Sequence, residues 1–96
     1  MNLQEFKQSL DQDSPPDGLN LTLQALWQAG KKEWHASHDL LQNDDSADGS
    51  WVHAYLHREE GDIPNARYWY AKAGQTMPDV TLEEEWNDIA SALLSK

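Results

Sequence analysis

Apolar residues along this chain recur at intervals of three and four, broken by short polar stretches, and the pattern predicts a succession of helices. Leu3, Phe6 and Leu10 mark a short first helix, ended by Pro15-Pro16, which cannot continue a helix, and by Gly18, which permits a turn. Leu19, Leu23, Leu26, Trp27 and Gly30 fall at i, i+4, i+7, i+8 and i+11, an amphipathic helix with Gly30 as its stop. A third helix is predicted from about Lys32 to Gln42. Its two apolar edges, Trp34 with Leu41 and Ala36 with Leu40, call for two neighbours. Asn43 to Gly49 reads as a polar loop. The fourth helix is expected to start near Ser50 and to end before Gly61, with Trp51, Val52, Tyr55 and Leu56 as its apolar face. A fifth carries Ala66, Tyr70 and Ala73, with Asp62 placed to cap it and Pro64 in its first turn. The last opens on the capping box Thr81-x-x-Glu84 and presents Leu82, Trp86, Ile89, Ala90 and Leu93 as one stripe, a lid for the preceding hairpin. No segment alternates as a strand would. The expected fold class is all-α, one domain of five to six helices spanning residues 1–96.

The stretch GDIPNARYWYAKAGQTMP, from Gly61 to Pro78, refines this expectation. Ala66 and Ala73 lie seven apart on one face, where small side chains let a neighbouring helix approach, and Tyr70 fills the gap between them. With the Gly61-Asp62 turn and Pro78, the spacing resembles the second half of a tetratricopeptide (TPR) repeat, and A-x-x-W-Y-x-K-A-G from Ala66 to Gly74 resembles the related Sel1-type repeat. The resemblance implies a short right-handed stack of antiparallel helix hairpins. Residues 50–78 form the better repeat and 19–43 a degenerate one; residues 1–18 supply an N-terminal helix and Pro-rich loop, and 81–95 a capping helix. It also implies a non-catalytic adaptor or scaffold that binds peptides or proteins. His53 and His57 depart from the pattern, standing where such repeats more often place apolar residues.

Charge narrows the partners. Seventeen acidic residues against seven basic ones leave a net charge of −10, which repels nucleic-acid phosphates and anionic lipid headgroups. A protein or peptide partner should therefore be basic or neutral rather than acidic. The TPR type that clamps an acidic C-terminal peptide needs several groove-lining bases, and here the corresponding helices offer only Arg58. A mean hydropathy of −0.83 is low, but five Trp and three Tyr provide anchors for a folded core. The absence of cysteine removes disulfides, thiolate metal sites and a cysteine nucleophile from consideration. Glu5 and Lys7 interrupt any apolar signal core in MNLQEFKQSL, no apolar run reaches a membrane-spanning length, and the expected location is cytoplasmic.

Four histidines carry the candidate chemistry. His53, His57 and Glu60 fall at i, i+4 and i+7 of the fourth helix, a spacing that lets two imidazoles and a carboxylate reach one Zn²⁺ or other divalent ion. His35 and His38 are one turn apart on the third helix. If the two helices form an antiparallel hairpin turning near Ser46, His38 faces His53 and His35 faces His57, each pair level to about 2 Å. The four then line a pocket for a metal, a small ligand or a peptide carboxylate. The alternative is structural: histidines bordering a helix interface, with Glu60 as a hydrogen-bond partner and no cofactor. The remaining aromatics fall on apolar stripes, apart from Tyr68, which points away from Ala66 and Tyr70 toward the final helix or a partner. There is no Gly-rich phosphate loop, no G-x-S-x-G elbow and no H-E-x-x-H, so no catalytic residue is assigned. Two functions remain in play, an interaction scaffold and a ligand- or metal-binding protein.

Overall fold

In the computed structural model, which describes all 96 residues, six α-helices and no strand account for the fold. They are α1 (Leu3–Gln8, continued by a 3-10 turn at Ser9–Asp11), α2 (Leu21–Gly30), α3 (Trp34–Leu41), α4 (Ala47–Glu60), α5 (Ile63–Ala73) and α6 (Leu82–Leu94). None is long and apolar enough to cross a membrane. Short connections pack α2 against α3 and α4 against α5. The sharp α4–α5 turn works because Gly61 takes a left-handed conformation, φ 88°, that closes α4, and the Asp62 side chain then caps α5.

Helix α4 runs through the centre. Val52, Tyr55 and Leu56 enter a core shared with Phe6 of α1, Leu26 and Trp27 of α2, Leu41 of α3 and Trp86 and Ile89 of α6. Ala54, on another side of α4, meets Ala66 and Tyr70 in a smaller cluster under α5. The small-residue reading of α5 is thus realised: Ala66 is fully buried and Ala73 nearly so. Buried indoles keep their N–H groups satisfied, Trp27 donating to Ser9 Oγ at 3.0 Å and Trp86 to the Leu26 carbonyl at 2.9 Å.

Several element boundaries and roles differ from expectation. Helix α3 starts at Trp34 rather than Lys32, because Lys32 is left-handed (φ 64°) and Glu33 is not yet helical. Helix α4 begins three residues before Ser50: Ser46 Oγ accepts from Gly49 N at 2.9 Å, so Ala47–Gly49 form its first turn instead of a loop. Helix α2 ends at Gly30 as expected, but this glycine is not left-handed, and packing accounts for its missing side chain. A Cβ there would stand 2.9 Å from the Trp86 ring and 3.0 Å from Leu10. The lid role of α6 also changes, since it packs on α1, α2 and α4 and scarcely on α5. Its link to α5 is polar. The fully buried Glu85 accepts from Tyr70 Oη at 2.5 Å and from Arg58 Nη1 at 2.8 Å, while Arg58 also donates to the Val80 carbonyl. Burial and the Glu85 carboxylate both push the Tyr70 phenol upward.

Candidate metal centre

The site begins with α4 being buried on nearly every side. A central helix normally fills such positions with apolar residues, yet His53 and His57 stand there, only 7% and 6% exposed. Four residues apart, their rings lie one turn above the other, stacked with centroids 5.0 Å apart. Helix α3 crosses this face and brings half-buried His38 edge-on against both rings. His38 Nε2 lies 3.1 Å from His53 Nε2, and its ring centroid is 5.9 Å from that of His57. The short contact requires one imidazole to carry a proton on Nε2 and the other to offer a lone pair.

One nitrogen from each of His38, His53 and His57 lies within 4.8 Å of the other two. A tetrahedral zinc ion 2.0–2.1 Å from its imidazole nitrogens holds them about 3.3 Å apart, so the cluster is within small rotamer adjustments of a three-nitrogen cage. Glu60 completes it from outside. Its Oε2 accepts from His57 Nδ1 at 2.6 Å, which leaves the His57 Nε2 lone pair for a ligand. Burial, reinforced by the positive potential of His38, His57 and Lys72, lowers the His53 pKa to about 4, so its ring is neutral at physiological pH, the form that binds metal.

Two indoles wall the cluster. Trp69 of α5 lies parallel to His53 at 3.8 Å between centroids, and Trp34 of α3 stacks on His38 at 4.9 Å while meeting the edge of His57 at 6.0 Å. Trp34 Nε1 donates to the Leu56 carbonyl at 2.8 Å, which fixes that ring across the α3–α4 interface. None of the three surface clefts of the molecule is lined by His38, His53 or His57. The site thus has no adjoining chamber for an organic molecule.

The sequence-derived candidates are placed as follows. His38 and His53 meet. His35 does not approach His57; it is exposed, with its ring against the edge of Trp34. The crossing of α3 over α4 explains the difference, because it brings His38 to both α4 histidines and turns His35 outward. Glu60 converges with His57 and Asp62 rather than with His53, so the trio expected on α4 alone becomes a trio shared by two helices. Tyr68 is 59% exposed and touches Trp69 edge-on, away from the three nitrogens. Sequence reasoning missed Trp34, Trp69 and Asp62. Trp34 was accessible in principle, four residues before His38 on the same stripe. Trp69 reaches His53 only through the α4–α5 hairpin.

Comparison with protein-family models, with curated proteins and with solved structures finds no match to this chain.

Proposed function

We propose that this protein binds one divalent d-block ion, with zinc as the reference case, through His38, His53 and His57. The convergence of three imidazole nitrogens within 4.8 Å at a buried helix crossing carries this reading. The donor chemistry gives the ion class. Neutral imidazoles suit Zn²⁺, Ni²⁺ and Cu²⁺, whereas Ca²⁺ and Mg²⁺ need oxygen cages, and the chain has no thiolate for softer ions. Glu60 acts from outside as the orienting partner of His57. The lack of a cleft at the histidines favours an ion over a small organic ligand, and a holding or structural role over turnover of a substrate. Because only the native state presents the three nitrogens together, zinc should raise the melting temperature by mass action. A melting temperature independent of zinc and nickel concentration refutes the proposal.

The TPR-like arrangement is part of the same proposal. The α4–α5 hairpin, closed over Ala54, Ala66 and Tyr70, supports reading residues 50–78 as one repeat unit, with α2–α3 as a divergent second. One observation favours the interaction role as a second reading: Tyr68 is a large aromatic left 59% exposed on α5 of a chain carrying −10. A basic or neutral protein partner fits that charge. Tyr68→Ala should weaken capture by a basic peptide panel without altering zinc affinity; an unchanged capture profile removes this reading.

A further inference from the structure

Helix α3 is the least self-supported helix of the two hairpins. Glu33 provides it with no side-chain cap, the residue before that is a left-handed non-glycine, Lys32, and only Ser37 and Leu41 of its eight residues are buried. Its C-terminal bond, Gln42 N to the Asp39 carbonyl, is a long 3.4 Å. By contrast α4 is capped by Ser46 and closed by Gly61, and α5 is capped by Asp62 and closed by Gly74, both glycines left-handed. An eight-residue helix has no independent stability in water, so α3 exists as a helix only while it is docked.

The polar links that dock it on α4 are few. They are the His38–His53 nitrogen contact and the bond from Trp34 Nε1 to the Leu56 carbonyl. Ser37 Oγ, donating to the Ala25 carbonyl at 2.6 Å, ties α3 to α2 instead. The ligand set has the same asymmetry. His53 and His57 are preset on the central helix, with Trp69 and Glu60 holding their rings, while His38 is delivered by the weak helix alone.

We infer that metal occupancy controls the docking of α3: the ion clasps His38 to His53 and His57, and its loss allows residues 34–41 to open locally. This rests on the metal reading above and adds to it a responsive element. In the open form α3 melts away from α4, uncovering Trp34, the core residue Leu41 and the α4 histidines, while the remaining core contacts among α2, α4 and α6 persist. The protein would then report metal availability through one face of its surface.

Amide hydrogen exchange on the full chain, with zinc chloride as the only addition, tests the inference beside a calorimetric zinc titration. At zinc 100 times the dissociation constant, amides that exchange through α3 opening should slow by roughly tenfold to a hundredfold, the lower figure allowing for residual two-histidine binding in the open form. Amides of α5 and α6 that exchange by local fluctuations retaining the metal should change by less than about twofold, whereas those that exchange only through global unfolding slow by the linkage that raises the melting temperature. His38→Ala, on the half-buried edge of α3, should leave weak binding and abolish the selective protection. Stoichiometric zinc binding with no added protection in residues 34–41, or with residues 34–41 exchanging only through global unfolding in the metal-free protein, overturns the clasp and leaves the metal site standing. No zinc binding at all removes the metal reading and the clasp with it.

Discussion

Removing the Glu60 carboxylate probes how the cluster is organised, because that group is assigned a role next to the ion rather than on it. Its Oε2 accepts from His57 Nδ1 at 2.6 Å, fixing the tautomer that leaves the Nε2 lone pair free for an ion. The His57 side chain is 8% exposed and that of Glu60 39%. Loss of an outer partner costs about 10–100-fold in metal affinity, and the solvent reaching Glu60 places this case at the low end. Glu60→Ala should therefore weaken zinc binding about tenfold, or about 1.4 kcal/mol. Glu60→Gln keeps an oxygen that accepts the Nδ1–H and should recover most of that loss. Competition with a chromophoric chelator gives the affinities, and nitrogen chemical shifts of the His57 ring report the tautomer. Were Glu60 itself a ligand, Gln would be as damaging as Ala and Nδ1 would carry no proton in the zinc form. That pattern, or an Ala variant within twofold of wild type, refutes the reasoning.

Three further predictions concern the scaffold and its pH response. Arg58→Met leaves the buried Glu85 carboxylate with Tyr70 alone; breaking a buried pair costs about 3–5 kcal/mol, and because the Arg58 side chain is 16% exposed the lower figure applies. At about 4–8 °C per kcal/mol for a domain of this size, melting should fall by at least about 12 °C, and a shift under 4 °C would contradict the buried-pair account. Ala66→Leu overpacks the contact with Ala54 and Tyr70 and should cost about 1–3 kcal/mol; a wild-type melt would refute the small-residue packing. Burial lowers the folded His53 pKa to about 4, below the 6.5 of a free imidazole, so the unfolded chain binds the extra proton between these values. Metal-free stability should be complete above pH 6.5 and be lost as pH falls toward 4. The titratable groups facing His53 are His38 from α3, His57 on α4 and Lys72 from α5. Urea titrations in chelator should show a shallower decline in that window for His53→Asn, and an identical pH profile would count against the burial argument.

Helix content was legible because it rests on local rules: periodic apolar stripes, the Asp62 and Thr81 caps, and the proline and glycine breaks. The α5 packing face was legible too, since Ala66, Tyr70 and Ala73 carry their spacing in sequence. What was missed depends on contacts distant along the chain. Glu85 reads as a first-turn dipole charge and proves fully buried, because its partners Arg58 and Tyr70 arrive from other helices. Gly30 reads as a stop and does end α2, but its Cβ space belongs to Leu10 and Trp86, the latter 56 positions away. At the site, i, i+4 spacing found His53 and His57, and hairpin symmetry found His38. The same symmetry misplaced His35, because equal distances from a turn fix height along a helix and not the rotation that aims a side chain.

X-ray absorption on the zinc-loaded, desalted protein tests the central claim most directly, since it counts imidazoles at the ion without reference to stability or activity. The account predicts one zinc per chain, a first shell of nitrogen or oxygen at about 2.0–2.1 Å and outer-shell scattering from three imidazole rings. His53→Ala/His57→Ala should retain no zinc through desalting. A shell with fewer than two imidazoles, or zinc retained equally by the double variant, would contradict the claim that His38, His53 and His57 form a metal centre.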